Sequence, residues 1–299
     1  MTPFRENLRG IISIAACNLF FLINDTQVKL AGADLPLTEL LFIRGLLAAL
    51  ILIPIVIYAG SYHAVALIRH RWVYVRLFAE ICATFLFLYA LLHIPIANIN
   101  AILQVVPLMV TAAAAIFLKE KVGWRRWLAI AIGFAGVLVV IRPGLAGFDA
   151  FALVALASMV FVTLRDITTR FMPRGLPALL VALVTAIAVG GAGLVLGLFV
   201  GEAWVVPSAR SLALIAGASV FLIGGYLTAV DFMRHGDISV VAPFRYLVIV
   251  WAIIVGYIVW GEVPDLAMIV GTVIIIGTGI YTFHRERRLA RVAAEPVDI

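Results

Sequence analysis

Residues 24–36 read NDTQVKLAGADLP, and residues 165–177 read RDITTRFMPRGLP. A shift of 141 positions lays Asp25 on Asp166, Lys29 on Arg170 and Leu35-Pro36 on Leu176-Pro177. One further position of shift lays His93 on His235, Ile96 on Ile238 and Glu120 on Glu262. A near-constant offset of half the chain reads as two copies of one unit, joined head to tail.

The material between these matches is too apolar for a soluble domain. Hydrophobic residues make up 65% of the 299 positions, charged residues 13%, and the mean hydropathy is +1.16. A soluble domain is about half apolar and a quarter charged. Apolar runs are expected as helical spans over 10–30, 37–58, 72–93, 95–118, 122–141, 149–170, 176–200, 209–233, 239–260 and 263–284. The predicted fold is therefore an all-α integral membrane protein of ten transmembrane helices. Its units are residues 1–146, a first five-helix repeat; 147–284, a second; and 285–299, a basic cytoplasmic tail. The first run follows Arg5 and Arg9 and reads as a retained helix rather than a cleaved signal.

The net charge of +6 is distributed between the apolar runs, so it speaks of membrane topology and not of nucleic acid. With the N-terminus inside, fifteen lysines and arginines fall on the cytoplasmic side; only Lys29, Arg142 and Arg210 fall outside. Both termini are then cytoplasmic in a bacterial inner membrane. Five helices is an odd number, so the second copy inserts upside down and the repeat is inverted. Cys17 and Cys82 both lie inside apolar runs, which gives neither a disulfide framework nor a zinc site. The expected partners are a small-molecule substrate and the lipid bilayer, with no cofactor, no metal and a monomeric chain.

The stretch from Pro107, PLMVTAAAAIFLKEKVGWRRWLAIAIGFAGVLVV, and the stretch from Trp251, WAIIVGYIVWGEVPDLAMIVGTVIIIGTGI, share one design. Each has a small-residue helix, a turn holding Glu120 or Glu262, and a glycine-containing helix. This resembles the EamA-type repeat of the drug/metabolite transporter superfamily, and YALLHIPIANINAIL (residues 89–103) is similar to that family's fourth-span entry. In length and helix count the chain is most similar to the bacterial YddG-like amino-acid exporters. The resemblance implies a transporter of amino acids, other metabolites, nucleotide sugars or drugs. The second copy has Gly271 where the first has Ala129. The two glutamates are expected to cap the helix that follows each.

Ionisable groups inside a bilayer are costly, about 2.5–3.5 kcal/mol each, so those present mark pathways or pairs. Asp25 and Arg44 share a depth near the outer face, close to Lys29 and Glu39. Arg76, Glu80, Arg165, Asp166, Asp231 and Arg245 lie toward the inner face, and Arg76 and Glu80 are one helical turn apart. Asp25, Arg44, Arg165 and Asp166 read either as alternating gates or as interfacial groups that reach to water. The expected substrate set is Glu80, Asn100, Gln104, Tyr226, Arg245, Tyr246 and Trp251, on spans 3, 4, 8 and 9. Asn100 and Gln104 share a helix face with Pro107, whose missing N–H frees a carbonyl in mid-span. Asn18 shares the face of Asp25. Amides at this depth also serve simply to join helices, and Trp251 also fits plain packing. Gly193, Gly197 and Gly201 form a small-residue stripe for close helix approach.

Three function classes compete. A secondary transporter is favoured. An intramembrane enzyme lacks a His-Glu-x-x-His, Gly-x-Ser-x-Gly or paired-aspartate motif. A channel lacks a filter or charge rings. Arg245, Glu80 and the aromatic residues suit an amino acid, aromatic or large apolar ones first. Another metabolite, a drug-like cation or a nucleotide sugar remains an alternative.

Overall fold

The computed structural model describes residues 3–117, 119, 123–142, 150–173, 175–234 and 241–294. Every regular element among them is helical: α1 (Pro3–Ala31), α2 (Leu37–Tyr58), α3 (Arg71–His93), α4 (Ile96–Leu103), α5 (Val106–Phe117), α6 (Trp124–Ile141), α7 (Ala150–Thr169), α8 (Ala178–Val200), α9 (Ala209–Arg234), α10 (Leu247–Trp260) and α11 (Leu266–Ala294). Two 3-10 segments, Ser61–Arg69 and Ala242–Tyr246, complete the set.

Among the described residues, eight stretches are long and apolar enough to cross a bilayer, α4 and α5 counting together as Ile96–Phe117. The last two expected spans are shorter apolar helices, Phe244–Trp260 and Leu266–Thr282. Residues 235–240, where the ninth expected span begins, lie outside the described residues. The expected unbroken span 95–118 is also divided. Conversely, α11 runs on to Ala294, because no glycine or proline interrupts the basic segment after His284.

The chain forms two compact units, each drawing on both sequence halves. One comprises Phe20–Pro95 and Ala150–Gly224; the other comprises Met1–Leu19, Ile96–Asp149 and Gly225–Ile299. Sequence repeats and packing units thus divide the chain differently, since helices of one half pair with helices of the other.

In the first unit α2 packs along α8 and α3 along α7. The α2–α8 contact is made by glycine. A methyl on Gly45 would stand 2.5 Å from the Gly190 Cα and 2.7 Å from the Ala186 carbonyl oxygen, and one on Gly193 would stand 2.7 Å from the Thr38 carbonyl oxygen. Lipid offers no hydrophobic drive between helices, so close backbone approach supplies the attraction. The working stripe is Gly190, Gly193 and Gly197 rather than Gly193, Gly197 and Gly201. Gly201 is the left-handed cap of α8, at φ 67°.

In the second unit α6 packs along α11 and α4 along α10. Gly136 and Gly271 meet there, and a methyl on Gly271 would stand 2.6 Å from the Gly136 carbonyl oxygen. Ala129, its counterpart in the first copy, is buried. Asp265 caps α11 by accepting the Met268 N–H at 2.8 Å, and Arg142 pairs with it from the end of α6. The Arg142 hydrogen bond, with the Met268 N–H, holds the Asp265 carboxyl below the usual carboxylate range. Stability from this group is therefore present above the ordinary carboxylate pKa and is lost as pH falls through the lowered one. Asp265→Asn keeps the cap and removes the charge, so its melting temperature should lose this acid-side dependence. At neutral pH the cost should be about 0.5 kcal/mol or less, the scale of an exposed pair.

Candidate substrate site and ion network

Most of the expected substrate set gathers in the second unit around two helix breaks. Pro107 has no N–H, and its ring conflicts with the carbonyl four residues earlier. The helix accordingly stops at Leu103 and restarts at Val106. Tighter turns bridge the gap: Gln104 N–H donates to Ala101 O at 3.2 Å and Val105 N–H to Ile102 O at 3.1 Å. Gln104 sits on this break, only 3% exposed, with its Oε1 lacking any hydrogen-bond partner. Asn100 is buried too, but its amide donates to the Ile96 carbonyl at 2.9 Å, so that N–H is committed to its own helix.

The second break is the 3-10 turn Ala242–Tyr246, ahead of α10. Asn18 reaches it from α1, its Nδ2 donating to Arg245 O at 3.0 Å and Phe244 O at 3.3 Å. Asn18 was noted only for sharing the helix face of Asp25; its amide supports this unwound backbone. The signal for it was Pro243, because a broken helix leaves carbonyls that need donors. The Arg245 side chain is exposed and Tyr226 is 40% exposed. Tyr246 lies with its hydroxyl against Gly279 of α11, where no side chain interferes. Trp251, one turn into α10, has a buried Nε1 without an acceptor.

Glu262 also differs from expectation. Its Oε2 accepts the Ile96 N–H at 3.0 Å, so it caps α4 and not the helix that follows it; Asp265 performs that task. Sequence spacing could not reveal a cap supplied from 166 residues away. Glu120, its counterpart, lies outside the described residues, as does the side chain of Asp231.

The first unit holds the charges. Glu80, 6% exposed, stands 3.5 Å from Arg76 Nη2, an ion pair without hydrogen-bond geometry, and accepts from Arg165 Nη1 at 3.4 Å. Arg165 also grips Asp166, with Nη2 2.8 Å and Nε 2.9 Å from Oδ1. Arg76 donates to Thr169 at 3.2 Å and to Thr185 at 2.9 Å, tying α3 to α7 and α8. Sequence reasoning passed over both threonines, since hydroxyls in apolar runs give no periodic signal. Glu80 thus belongs to a network of two arginines and two acids. Removing one member of such a buried network leaves the others uncompensated.

Elsewhere in this unit Asn24 Nδ2 donates to Asp25 Oδ1 at 2.8 Å, and Arg44 acts electrostatically on Asp25. Lys29 and Glu39 serve the backbone. Lys29 Nζ donates to Ile94 O at 2.7 Å, at the end of α3, and Glu39 accepts the Val205 N–H at 2.9 Å. Among the described residues, no three histidines, cysteines, aspartates or glutamates gather as they would for a metal ion.

Comparison with known proteins agrees with a transport fold. Residues 8–142 match the EamA-like transporter family. An S-adenosylmethionine uptake transporter of Rickettsia prowazekii is 27% identical over 89% of this chain and 89% of its own length. The pseudopaline exporter CntI of Pseudomonas aeruginosa is 26% identical over 89% and 93%. A riboflavin transporter of Vibrio cholerae is 24% identical over 95% and 96%. These are not amino-acid exporters of the YddG-like branch. A solved crystal structure, 17% identical, aligns with a TM-score of 0.64 over 95% of this chain and 99% of the other, a likeness of fold. The matching family model and these three relatives are all transporters rather than enzymes.

Proposed function

We propose that the protein is a secondary transporter moving a small amino-acid-type metabolite with an aromatic or large apolar group across the bacterial cytoplasmic membrane by alternating access. The ten spans would form two inverted five-helix repeats with both termini inside, and net flow would be export when the solute accumulates in the cell. The observation that carries this reading is a pair of unmade hydrogen bonds near the two helix breaks. Gln104 Oε1 is a buried acceptor and Trp251 Nε1 a buried donor, each without a partner. Such groups cost about 1–3 kcal/mol apiece when left alone, and a solute with both a donor and an acceptor relieves them.

Broken spans are where repeat transporters bind solute. Arg245 is the carboxylate anchor, since its guanidinium stays charged and forms a bidentate fork. Tyr226, Tyr246 and Trp251 offer ring faces, and Asn100 holds the helix that presents Gln104. Glu80, with Arg165 and Asp166, acts as one gate, and Asp25 with Arg44 as the other. The substrates named for the relatives support the chemical class: S-adenosylmethionine carries an amino-acid head and an aromatic base, and riboflavin a fused ring system.

The test is uptake into proteoliposomes of labelled phenylalanine, tryptophan, S-adenosylmethionine, riboflavin, a nucleotide sugar and a cationic drug. Saturable uptake of a solute bearing an amino-acid head or a fused ring is expected. Trp251→Phe keeps a ring but removes the N–H, and should raise the apparent KM about tenfold, the value of one hydrogen bond. Uptake of only the nucleotide sugar or the cationic drug, or of nothing above protein-free liposomes, contradicts the assignment.

A further inference from the structure

One end of the first unit carries groups that neither solute binding nor gating uses. α2 and α3 are both long enough to span, so the segment joining them lies at a surface of the bilayer. That segment holds the 3-10 turn Ser61–Arg69, which lies beside α2, α3 and α8. Leu67 seats it against the backbone at Gly175, ahead of α8. Tyr62 and Val65 stay exposed, and so do Arg69, His70 and Arg71. Aromatic and apolar groups beside cations suit the boundary between headgroups and chains. The charge here is of one sign. No aspartate or glutamate occurs between Glu39 and Glu80, or between Asp166 and Glu202. Glu80 and Asp166 are themselves engaged by Arg76 and Arg165.

An apolar rail begins beside these cations. Trp72 stacks on Phe171 with ring centres 4.8 Å apart, and the Arg71 guanidinium carbon lies 5.5 Å from the Trp72 ring centre. The stacked pair and the attraction of a cation for an indole face hold Arg71 at the mouth of the α3–α7 seam. Phe78 lies about 10 Å further along α3 than Arg71. There it meets Phe161 of α7 edge to face, with ring centres 6.3 Å apart. Tyr74, one turn before Phe78 on the same face of α3, is 57% exposed and Phe78 is 59% exposed. A cationic mouth and an exposed aromatic rail thus follow one another along the direction in which a lipid lies in a leaflet.

We propose that this end of the unit binds an anionic phospholipid, with its phosphate on Arg69 and Arg71 and one acyl chain along Tyr74 and Phe78. The inference needs only that α2 and α3 span a bilayer, so it stands apart from the solute assignment. A soluble phosphate ester shares the headgroup chemistry but leaves the aromatic rail uncovered. A zwitterionic headgroup carries a cation of its own beside the phosphate. That cation would stand among Arg69, His70 and Arg71, where the connecting segment supplies no acid to receive it. Phosphatidylglycerol brings the phosphate charge alone. Each arginine near the surface is worth about a fivefold preference for such a lipid. A lipid seated there joins the start of α3 to the end of α7. These are the helix ends that Arg76 already links through Thr169.

Trp72 reports on the site directly, and the difference between the parent and Trp72→Phe isolates its fluorescence. The full chain is reconstituted in phosphatidylcholine vesicles in which a rising fraction is replaced by one lipid brominated near the glycerol end of its chains. Brominated phosphatidylglycerol should half-quench Trp72 at a fraction about tenfold or more below that needed of brominated phosphatidylcholine. Arg69→Gln with Arg71→Gln should bring the two titrations together. Arg69→Lys with Arg71→Lys, which keeps both charges, should hold them apart. Arg71→Gln alone should lose about fivefold of the preference, and it serves if the double variant fails to insert. Coincident titrations in the parent overturn the proposal, as does a preference that persists unchanged in the glutamine variants. Removal of the preference by dissolved glycerol phosphate would show a soluble phosphate site in place of a lipid one, and overturns it too.

Discussion

Gly45→Ala should lower the stability of the protein by about 3 kcal/mol, the upper range for forcing a methyl into a packed contact. The added Cβ would stand 2.5 Å from the Gly190 Cα, 2.7 Å from the Gly190 nitrogen and 2.7 Å from the Ala186 carbonyl oxygen. All three are backbone atoms, so no rotamer change relieves the clash and α2 must part from α8. Gly191→Ala, on α8 beside Gly190, meets nothing within 4 Å. There the helix gains an alanine, and stability should rise by about 0.5–1 kcal/mol. Thermal unfolding of the detergent-solubilised protein reads both. Equal melting temperatures for the two variants would show that α2 and α8 do not meet through their glycines.

Arg245→Ala should reduce transport by about a hundredfold or more at equal membrane insertion, in line with the loss of a charge-assisted hydrogen bond worth about 1.5–3 kcal/mol and of the fork geometry. Arg245→Lys should recover part of the rate, since a point charge attracts a carboxylate without clasping it. The exposed position of Arg245 favours a direct role. Its backbone is held separately, through the Asn18 amide on its carbonyl, so truncating the side chain should leave the turn in place. Parent-like rates in a well-inserted Arg245→Ala would move the anchor elsewhere around Gln104.

Much of this was legible from residue order because a bilayer imposes severe rules. Apolar blocks had to be helices, since no water is present to satisfy the backbone. Pro107 was read as a proline within one span, 95–118, and the division before it, between Leu103 and Val106, was not foreseen, although its ring conflicts with the Leu103 carbonyl four residues earlier. Arg76 and Glu80 could be paired from their spacing alone. Partners distant in sequence were not legible. Glu262 caps α4 across 166 residues, Arg76 finds Thr185 across 109, and Asn18 finds the Arg245 carbonyl across 227. Each joins elements far apart in the chain, and helical spacing relates residues of one helix only. The stripe on α8 shows the same limit. Spacing favoured Gly201, whereas the chain turns left-handed there and Gly190 makes the contact.

Counterflow bears most directly on the central claim. Proteoliposomes are loaded with unlabelled phenylalanine, or with whichever panel solute is taken up best, and diluted into a trace of the labelled form. A carrier that exposes one site alternately to each side exchanges internal for external solute. The label should therefore rise transiently above its equilibrium level inside and then decay, an overshoot that Arg245→Ala should abolish. A monotonic approach to equilibrium in the parent protein, with no overshoot at any preload, would contradict transport by alternating access.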